Sequence, residues 1–253
     1  GVTHLNINSS STKIRQLGAT SFSLVGLENF SNKFAAADTY ALGFRRVAMI
    51  APNNAYGQGV FEGYKAEFEK LGGKVVTEVL YTAGQSTYRR ELQQMARSNP
   101  DAYVYTAYGQ ESAVINREAE ELGLRKVPWY AILMTMSLSD TPPAIANGQL
   151  GMELGSVQGA AGKAYADAFK AKYKEGFKTS YTGYGYDGVL ISAAAIEKAR
   201  ATTPAAIQAA LKELGSGAGY VGATGTIRFD QDRQRIDPPY DKHKFEGGQL
   251  APR

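Results

Sequence analysis

The chain has 253 residues, of which 43% are hydrophobic, so it can bury the core of one large domain or of two small ones. Its formal net charge of +4 and the lack of any run of five or more basic residues argue against a nucleic-acid partner. The sequence contains no cysteine, which excludes disulfides, thiolate nucleophiles and cysteine-ligated metals. No stretch approaches the ~18 consecutive apolar residues of a membrane-spanning helix.

The first part of the chain predicts two strands and a helix. Residues 2–7 are predicted to form a strand, which the polar loop 8–12 follows. Alternating side chains predict a second strand at residues 21–25. Apolar residues at helical spacing then predict a helix over residues 30–41.

Residues 45–124 alternate between apolar strands and amphipathic helices, which predicts a parallel sheet with helices on both faces. In such sheets, ligands bind beyond the carboxyl ends of the strands. Those ends are the loops at residues 52–59, 82–87 and 106–110. Two of these loops present an aromatic ring, Tyr56 in one and Tyr108 in the other. We therefore regard both rings as candidate ligand contacts, although an ordinary surface turn is the alternative for Tyr56.

The rest of the chain predicts two more strands and then becomes rich in helices. The strands are predicted at residues 129–134 and 152–155, and the helices at residues 163–175, 188–200 and 204–214. Tyrosine and glycine predict a loop at residues 180–188, and the tail after residue 215 is predicted to form antiparallel or edge strands. Three helices with so little sheet to cover are unusual for an independent α/β domain.

Two short segments each have a functional and a structural interpretation. Residues 9–12 supply hydroxyls and amides for a carboxylate, or else the N-cap of a helix over residues 13–17. Residues 183–188 match the pattern G-x-G-x-x-G, but no predicted strand leads into them and no acidic residue follows at the usual distance. We therefore predict no dinucleotide site there.

The chain offers few groups for catalysis or metal binding. Neither of its histidines, His4 and His243, has the neighbours of a zinc site. The spacing of Asp230, Asp232 and Asp237 does not fit a calcium loop, and no G-x-S-x-G elbow occurs. The sequence therefore offers no obvious general base, no activated nucleophile and no metal site, and we predict no catalytic residues, no metal, no cofactor and no enzymatic activity.

Seven segments together resemble one known family in their order and spacing. They lie at residues 43–50, 56–59, 71–76, 100–104, 118–124, 186–190 and 222–230. They resemble the leucine/isoleucine/valine-binding type of periplasmic binding protein, the solute receptors of branched-chain amino-acid ABC importers. The resemblance covers essentially the whole chain, with Thr226 where the family usually has proline. It implies a periplasmic protein whose signal peptide lies outside these residues and whose partners are the membrane subunits of an ABC importer.

The resemblance also implies a type I periplasmic-binding-protein fold. In this fold, two α/β lobes with doubly wound parallel sheets are joined by a hinge, and the ligand binds in the cleft. Mapped onto this sequence, lobe 1 comprises residues 1–25 and 155–243, lobe 2 comprises 27–150 and 245–253, and the crossings lie near 24–29, 148–155 and 244–249.

Lobe 1 is expected to be incomplete in this chain. The family carries a further segment of about 100 residues, the size of a small domain, before the strand at residues 2–7. We expect that segment, or a neighbouring chain, to complete the sheet beside this strand. Residues 1–253 alone are expected to be poorly soluble or to bind a hydrophobic dye strongly, because the helices would expose their apolar stripes.

The resemblance implies a set of ligand-binding residues. These are Asn8, Ser10, Tyr56, Tyr108, Met134, Thr135, Tyr181 and Tyr184. Asn8 and Ser10 match the loop that holds the ligand's carboxylate and amino group. Tyr56 and Tyr108 match aromatic contacts of lobe 2, and Tyr181 or Tyr184 matches the aromatic wall of lobe 1.

One departure from the family affects the predicted ligand. Amino-acid receptors place an acidic residue just after the strand that corresponds to residues 129–133, where it pairs with the ligand ammonium. This chain has Met134, Thr135 and Met136 there. A buried ammonium without an acidic partner is unfavourable, whereas methionine favours apolar or aromatic surface. We therefore predict a small carboxylate with an apolar or aromatic body. The alternatives are a receptor for branched-chain or other amino acids, and a ligand-sensing regulatory domain on the same fold.

Overall fold

A computed structural model describes residues 2–253 and divides them into two compact units. Unit 1 contains the residues up to Phe30 together with Leu154–Pro239, and unit 2 contains Ser31–Glu153 together with Tyr240–Arg253. Residue 1 of the predicted segment 1–25 lies outside the described residues. The last division comes before residue 240, whereas we predicted a crossing at residues 244–249, because residues 240–246 already form a strand of the unit 2 sheet.

The strands and helices of the described residues follow in chain order. The strands are β1 (His4–Asn6), β2 (Ser21–Ser23), β3 (Arg46–Pro52), β4 (Lys74–Tyr81), β5 (Ala102–Tyr105), β6 (Trp129–Ile132), β7 (Leu150–Leu154), β8 (Tyr220–Gly222), β9 (Gly225–Ile227), β10 (Tyr240–Glu246) and β11 (Gln249–Pro252). The helices are α1 (Glu28–Ala41), α2 (Ala55–Lys70), α3 (Arg89–Ala96), α4 (Gly109–Glu121), α5 (Met134–Ser137), α6 (Pro143–Ala146), α7 (Gly159–Tyr173), α8 (Tyr181–Ala199) and α9 (Pro204–Leu214). Short 3-10 helices cover Thr12–Leu17 and Leu124–Lys126.

Unit 2 is built on a seven-stranded sheet in the order β11-β10-β7-β6-β5-β3-β4. The neighbouring pairs from β7 to β4 are parallel, and β10 and β11 form an antiparallel hairpin at the other edge. The central strands β5 and β6 are buried along their whole length, as expected for parallel strands covered on both faces. In this core the ring of Trp129 lies 4.9 Å from that of Tyr103 and 5.2 Å from that of Tyr105.

The carboxylate of Asp38 on α1 links the carboxyl-terminal hairpin to the rest of unit 2. Asp38 is buried, accepts a hydrogen bond of 2.9 Å from the Tyr130 hydroxyl, and pairs with Lys242 at 3.0 Å and with Arg253. Burial and the Asp38 charge raise the pKa of Tyr130, so this phenol remains a donor. One buried carboxylate thus receives three donors, two of them from the last residues of the chain.

Asp38→Ala is expected to loosen the β10–β11 hairpin. The substitution leaves a buried phenol without its acceptor and two cations without their counter-charge, which costs about 1.5–3 kcal/mol. Hydrogen exchange at the amides of β10 and β11 would report the change. Glu246→Ala is the matched control, because its ion pair with Lys244 is solvent-exposed and contributes little. Equal exchange rates in both variants would contradict the role of Asp38.

Unit 1 combines a short parallel strand pair with three long helices. β1 pairs with β2, and the core packs Phe22 and Leu24 against Ile191 of α8 and Leu211 of α9. The antiparallel strands β8 and β9 form a separate two-stranded sheet. The predicted loop at residues 180–188 is wrong, because α8 already begins at Tyr181.

Candidate functional site

Tyr56 lies in the first turn of α2, directly beyond the carboxyl end of β3. Asn54 caps this helix, since its side-chain oxygen accepts a hydrogen bond of 3.0 Å from the amide of Gly57. Only glycine fits at position 57, because a Cβ there would lie 1.9 Å from the carbonyl oxygen of Pro52. The close turn holds the Tyr56 ring in place, and its hydroxyl lies 3.2 Å from that of Thr106 at the end of β5.

Tyr108 caps α4 and lies beside Tyr56. The two ring centroids are 6.1 Å apart with an interplanar angle of 40°, and Tyr108 is half-buried. The Tyr108 amide donates a hydrogen bond of 3.3 Å to the hydroxyl of Tyr81, the last residue of β4. Burial raises the pKa of Tyr81, so its hydroxyl stays protonated. Three tyrosines from three neighbouring strand ends therefore meet at one edge of the unit 2 sheet, which we call the tyrosine wall (Tyr56, Tyr81 and Tyr108).

The loop after β6 differs from the prediction, in which Met134 contacts the ligand. Leu133 adopts a left-handed conformation with φ of 57°, which turns the chain back over β7. Met134 is consequently fully buried, and a Cβ on Gly151 would lie 2.5 Å from its side chain. The structure thus places Met134 in the hydrophobic core of unit 2 rather than at an accessible surface.

Glu153 was not among the predicted site residues. It lies near the carboxyl end of β7, the strand that pairs with β6, and contacts Thr135. Its carboxylate is 4% exposed and accepts a hydrogen bond of 2.6 Å from the Thr135 amide. The Thr135 hydroxyl is buried without a hydrogen-bond partner among the described residues. We sought an acidic residue only directly after β6, whereas Glu153 comes from β7, the next strand of the sheet. An acidic group is therefore present at this edge despite the methionines.

A buried polar network holds the loops after β5 and β6 together. The hydroxyl of Tyr105 hydrogen-bonds to the side chain of Gln149 at 2.6 Å and to the carbonyl oxygen of Ser137 at 3.1 Å. Ser112 of α4 donates to the same carbonyl at 2.7 Å. Because every partner is buried, the network fixes α4 against α5 and so fixes the backbone that carries Tyr108 and Thr135.

In unit 1, Asn6 shapes the loop that carries Asn8 and Ser10. The buried Asn6 side chain donates to the carbonyl oxygen of Ser9 at 2.7 Å and accepts from the Ser9 amide at 2.9 Å. Asn8 is exposed, whereas Ser10 is buried and its carbonyl oxygen accepts a hydrogen bond of 2.6 Å from the Glu28 amide. Ser11 caps the 3-10 helix that follows, in agreement with the structural interpretation of this segment.

Glu28 accepts hydrogen bonds from two donors of residues 9–12, the segment that we considered as a site for a ligand carboxylate. Its buried carboxylate accepts from the Thr12 amide at 2.8 Å and from the Thr12 hydroxyl at 3.1 Å. Asn8 and Ser10 remain predicted ligand contacts, but both donors of Thr12 already hydrogen-bond to the carboxylate of Glu28.

Tyr181 and Tyr184 lie on α8 rather than in a loop. Tyr181 is half-buried in the first turn, whereas Tyr184 is fully buried and donates a hydrogen bond of 3.3 Å to the carbonyl oxygen of Gly155. The guanidinium of Arg235 lies 5.7 Å from the Tyr184 ring centroid. Tyr184 therefore packs inside unit 1 and forms no exposed aromatic wall.

The G-x-G-x-x-G pattern has a packing explanation. A Cβ on Gly183 would lie 2.4 Å from the carbonyl oxygen of Ser156, so α8 approaches that backbone closely. The fully buried Asp187 accepts hydrogen bonds from the Ala223 amide at 2.6 Å, the Thr224 amide at 2.8 Å and the Thr224 hydroxyl at 2.6 Å. The buried Arg235 reaches the same hydroxyl at 2.9 Å. The segment thus holds the β8–β9 turn against α8.

The described residues contain no cluster of three or more acidic, histidine or cysteine side chains that could hold a metal. The strand ends of unit 2 offer rings, hydroxyls and amides instead, which suit the binding of a small organic molecule.

The amino-acid sequence identifies the family. Residues 19–242 match the family of periplasmic binding proteins. The chain belongs to this family. It is 26% identical over 214 residues to the Leu/Ile/Val-binding protein homolog 3 of Brucella melitensis, an alignment that covers 82% of this chain and 56% of the relative. The chain thus spans about half the length of the curated relatives that it matches.

Solved structures of solute-binding proteins share the fold of this family member. The leucine-binding protein LivK of Thermotoga maritima matches with a TM-score of 0.86 and 21% identity, over 98% of this chain and 71% of that one. A solute-binding protein of an ABC transporter from Rhodopseudomonas palustris HaA2, in complex with p-hydroxybenzoic acid, matches with a TM-score of 0.83 and 20% identity, over 98% and 70%. These likenesses confirm the predicted type I periplasmic-binding-protein fold.

The family and these neighbours are solute-binding proteins rather than enzymes. Among residues 2–253, every helix is too short or too polar to cross a membrane.

Proposed function

We propose that this protein is a periplasmic receptor that delivers a small carboxylate with an apolar or aromatic body to an ABC importer. The tyrosine wall is the observation that carries the proposal. The rings of Tyr56 and Tyr108 lie at the carboxyl ends of parallel strands, the position at which α/β sheets bind ligands. Rings at this separation and tilt pack well against an aromatic or branched ligand body. The solute-binding neighbour that holds p-hydroxybenzoic acid gives this ligand class further support.

Glu153 supports a second candidate, an amino-acid receptor. Its carboxylate is 4% exposed and lies beside Thr135, where its negative charge would favour a ligand ammonium. Two observations favour the first candidate. Glu153 already accepts the Thr135 amide at 2.6 Å, and no acidic residue directly follows β6.

Two pairs of ligands separate these candidates. 3-Phenylpropanoate differs from phenylalanine only in lacking the ammonium group, and 4-methylpentanoate differs from leucine in the same way. We expect calorimetric titration to show each carboxylate binding at least tenfold more tightly than its amino acid, a difference of about 1.4 kcal/mol. The physical reason is the cost of burying an ammonium without a dedicated acidic partner.

Methyl benzoate, compared with benzoate, is the control for the carboxylate itself and should not bind. Micromolar binding of leucine or phenylalanine with the deaminated partners inert would overturn the proposed ligand class. In that case Glu153→Gln should abolish amino-acid binding, which would establish the second candidate.

A further inference from the structure

Arg125 is a largely buried cation at the amino-terminal edge of the unit 2 sheet. It lies in the 3-10 helix Leu124–Lys126, shortly before β6, and its side chain is 16% exposed. Burial lowers the pKa of Arg125, but an arginine stays charged at neutral pH even so. A charge with little access to water is unfavourable unless it is paired, so the groups around Arg125 decide what this position can do.

Both hydrogen-bond acceptors of Arg125 are neutral groups. Its Nη2 donates to the carbonyl oxygen of Ile145 at 2.6 Å. A guanidinium can only donate, so the amide oxygen of Gln149 faces it and accepts from Nη1 at 2.6 Å and from Nη2 at 3.1 Å. Among residues 2–253, the one carboxylate that lines this position is that of Glu120, which lies 3.9 Å from Nε and belongs to a side chain that is 56% exposed. A solvent-exposed carboxylate beyond hydrogen-bond distance compensates the charge only weakly.

A pocket opens beside the guanidinium. Its volume is about 230 Å³, and Trp129 at the start of β6 and Asn147 and Gln149 before β7 are among the residues that line it. A water molecule occupies about 30 Å³ in the liquid, so the pocket has room for several. Gln149 is buried and is fixed by its hydrogen bond of 2.6 Å to the Tyr105 hydroxyl. The Nε–H and one Nη1–H of Arg125 have no acceptor within hydrogen-bond distance in the described part of the chain, so the pocket holds a cation with unused donors.

This pocket is separate from the tyrosine wall. Strands β5, β6 and β7 run parallel, and the pocket lies where β6 and β7 begin. The tyrosine wall lies at the carboxyl ends of the parallel strands of the same sheet. Since β6 alone spans about 10 Å at ~3.3 Å per residue, the two positions are at opposite edges of the sheet. A molecule bound at Arg125 would therefore occupy a second site.

We propose that the pocket at Arg125 binds a small oxyanion, a phosphate, sulfate or carboxylate group. Such an ion would supply the negative charge that the neutral acceptors lack, and its oxygens would accept hydrogen bonds from the unused N–H groups of the guanidinium and from the side-chain amide of Asn147. Charge-assisted hydrogen bonds of this kind are roughly twice as strong as neutral ones. The pocket is smaller than the ~300–1,000 Å³ of sites for drug-sized molecules, which favours an ion of this size over a larger ligand.

Calorimetric titration with inorganic phosphate tests this proposal, with sulfate and acetate as further probes. The buffer should contain no other oxyanion and about 0.1 M sodium chloride, which screens exposed charges more than ~10 Å apart. We expect saturable binding of one ion in the millimolar range, and the Nε–H resonance of Arg125 in the NMR spectrum should shift along the same curve. Binding of phosphate and sulfate with acetate inert would assign the pocket to tetrahedral oxyanions, and the reverse would assign it to carboxylates. Absence of saturable binding by all three would overturn the proposal.

Two substitutions change the charge at the pocket in opposite directions. Arg125→Gln should abolish the binding, because it removes the cation. Glu120→Gln should tighten the binding by about threefold or more, because it removes the negative charge nearest to the site. Glu120 is solvent-exposed, so this second variant remains informative if Arg125→Gln does not fold.

Arg117→Gln and Glu121→Gln are the matched controls. These two residues of α4 form an exposed ion pair of 3.7 Å, and neither lines the pocket, so both variants should bind phosphate with nearly unchanged affinity. Equal weakening by Arg117→Gln and Arg125→Gln would overturn the proposal, because it would reflect the overall charge of the protein rather than a site. An affinity that Glu120→Gln leaves unchanged would overturn it as well. Neither Arg125 nor Glu120 belongs to the tyrosine wall, so these results do not depend on the solute that the protein binds.

Discussion

Replacing Asp187 by alanine is expected to lower the free energy of unfolding of unit 1 by at least about 3 kcal/mol, the cost of three unsatisfied buried donors. The carboxylate is fully buried and accepts three hydrogen bonds from Ala223 and Thr224. Its removal would leave two buried amides and a buried hydroxyl of the β8–β9 turn without this acceptor, and each such unsatisfied group costs about 1–3 kcal/mol. Denaturant titration followed by the circular dichroism of the helices would measure the loss.

Asp167→Ala on α7 is the matched control for this prediction. Asp167 pairs with Lys163, but both side chains are largely exposed, so its loss should change stability by less than about 1 kcal/mol. Equal unfolding midpoints for the two variants would show that the β8–β9 turn does not depend on Asp187.

Tyr56→Ala is expected to weaken ligand binding at least tenfold and by thirtyfold or more if the ring is fully covered. Burial of a large ring contributes about 1.5–3 kcal/mol, and its contact with another ring adds about 0.5–1.5 kcal/mol. Calorimetric titration with 4-hydroxybenzoate, as a representative aromatic carboxylate, measures the effect. Circular dichroism of the variant would establish that unit 2 remains folded.

Tyr56→Phe separates the ring from its hydroxyl. It keeps the contact with Tyr108 and removes only the hydrogen bond of 3.2 Å to Thr106, so its affinity should stay close to that of the original protein. If Tyr56→Ala and Tyr108→Ala both bind with unchanged affinity, the tyrosine wall is not part of the site.

The amino-acid sequence predicted unit 2 better than unit 1, for a physical reason. In residues 45–124 each apolar run and each amphipathic run ends at turn-forming residues, and the structure has strands and helices there in the predicted order. In residues 180–188 the glycines were also interpreted as turn-forming residues, and this interpretation was wrong. Gly183 serves close packing against Ser156 rather than a turn, and local pattern does not distinguish the two uses.

The residues of the candidate site likewise divide into those that the sequence pattern located and those that it did not. Tyr56 and Tyr108 were found because strand ends can be located from the pattern of the chain. Glu153 and Glu28 were missed because each acts on a loop that is distant in the sequence, across 18 and 16 residues respectively. Met134 was misplaced because the left-handed turn at Leu133 has no glycine to signal it.

The position of Trp129 has a practical consequence for following the unfolding of this protein. It is the single tryptophan of the chain, it is 3% exposed, and it lies in the core of unit 2 between Tyr103 and Tyr105. Intrinsic tryptophan emission therefore reports on unit 2 alone. If unit 1 melts first, its transition will be silent in fluorescence and visible in circular dichroism. A difference between the midpoints from these two signals would thus measure how far the two units unfold independently.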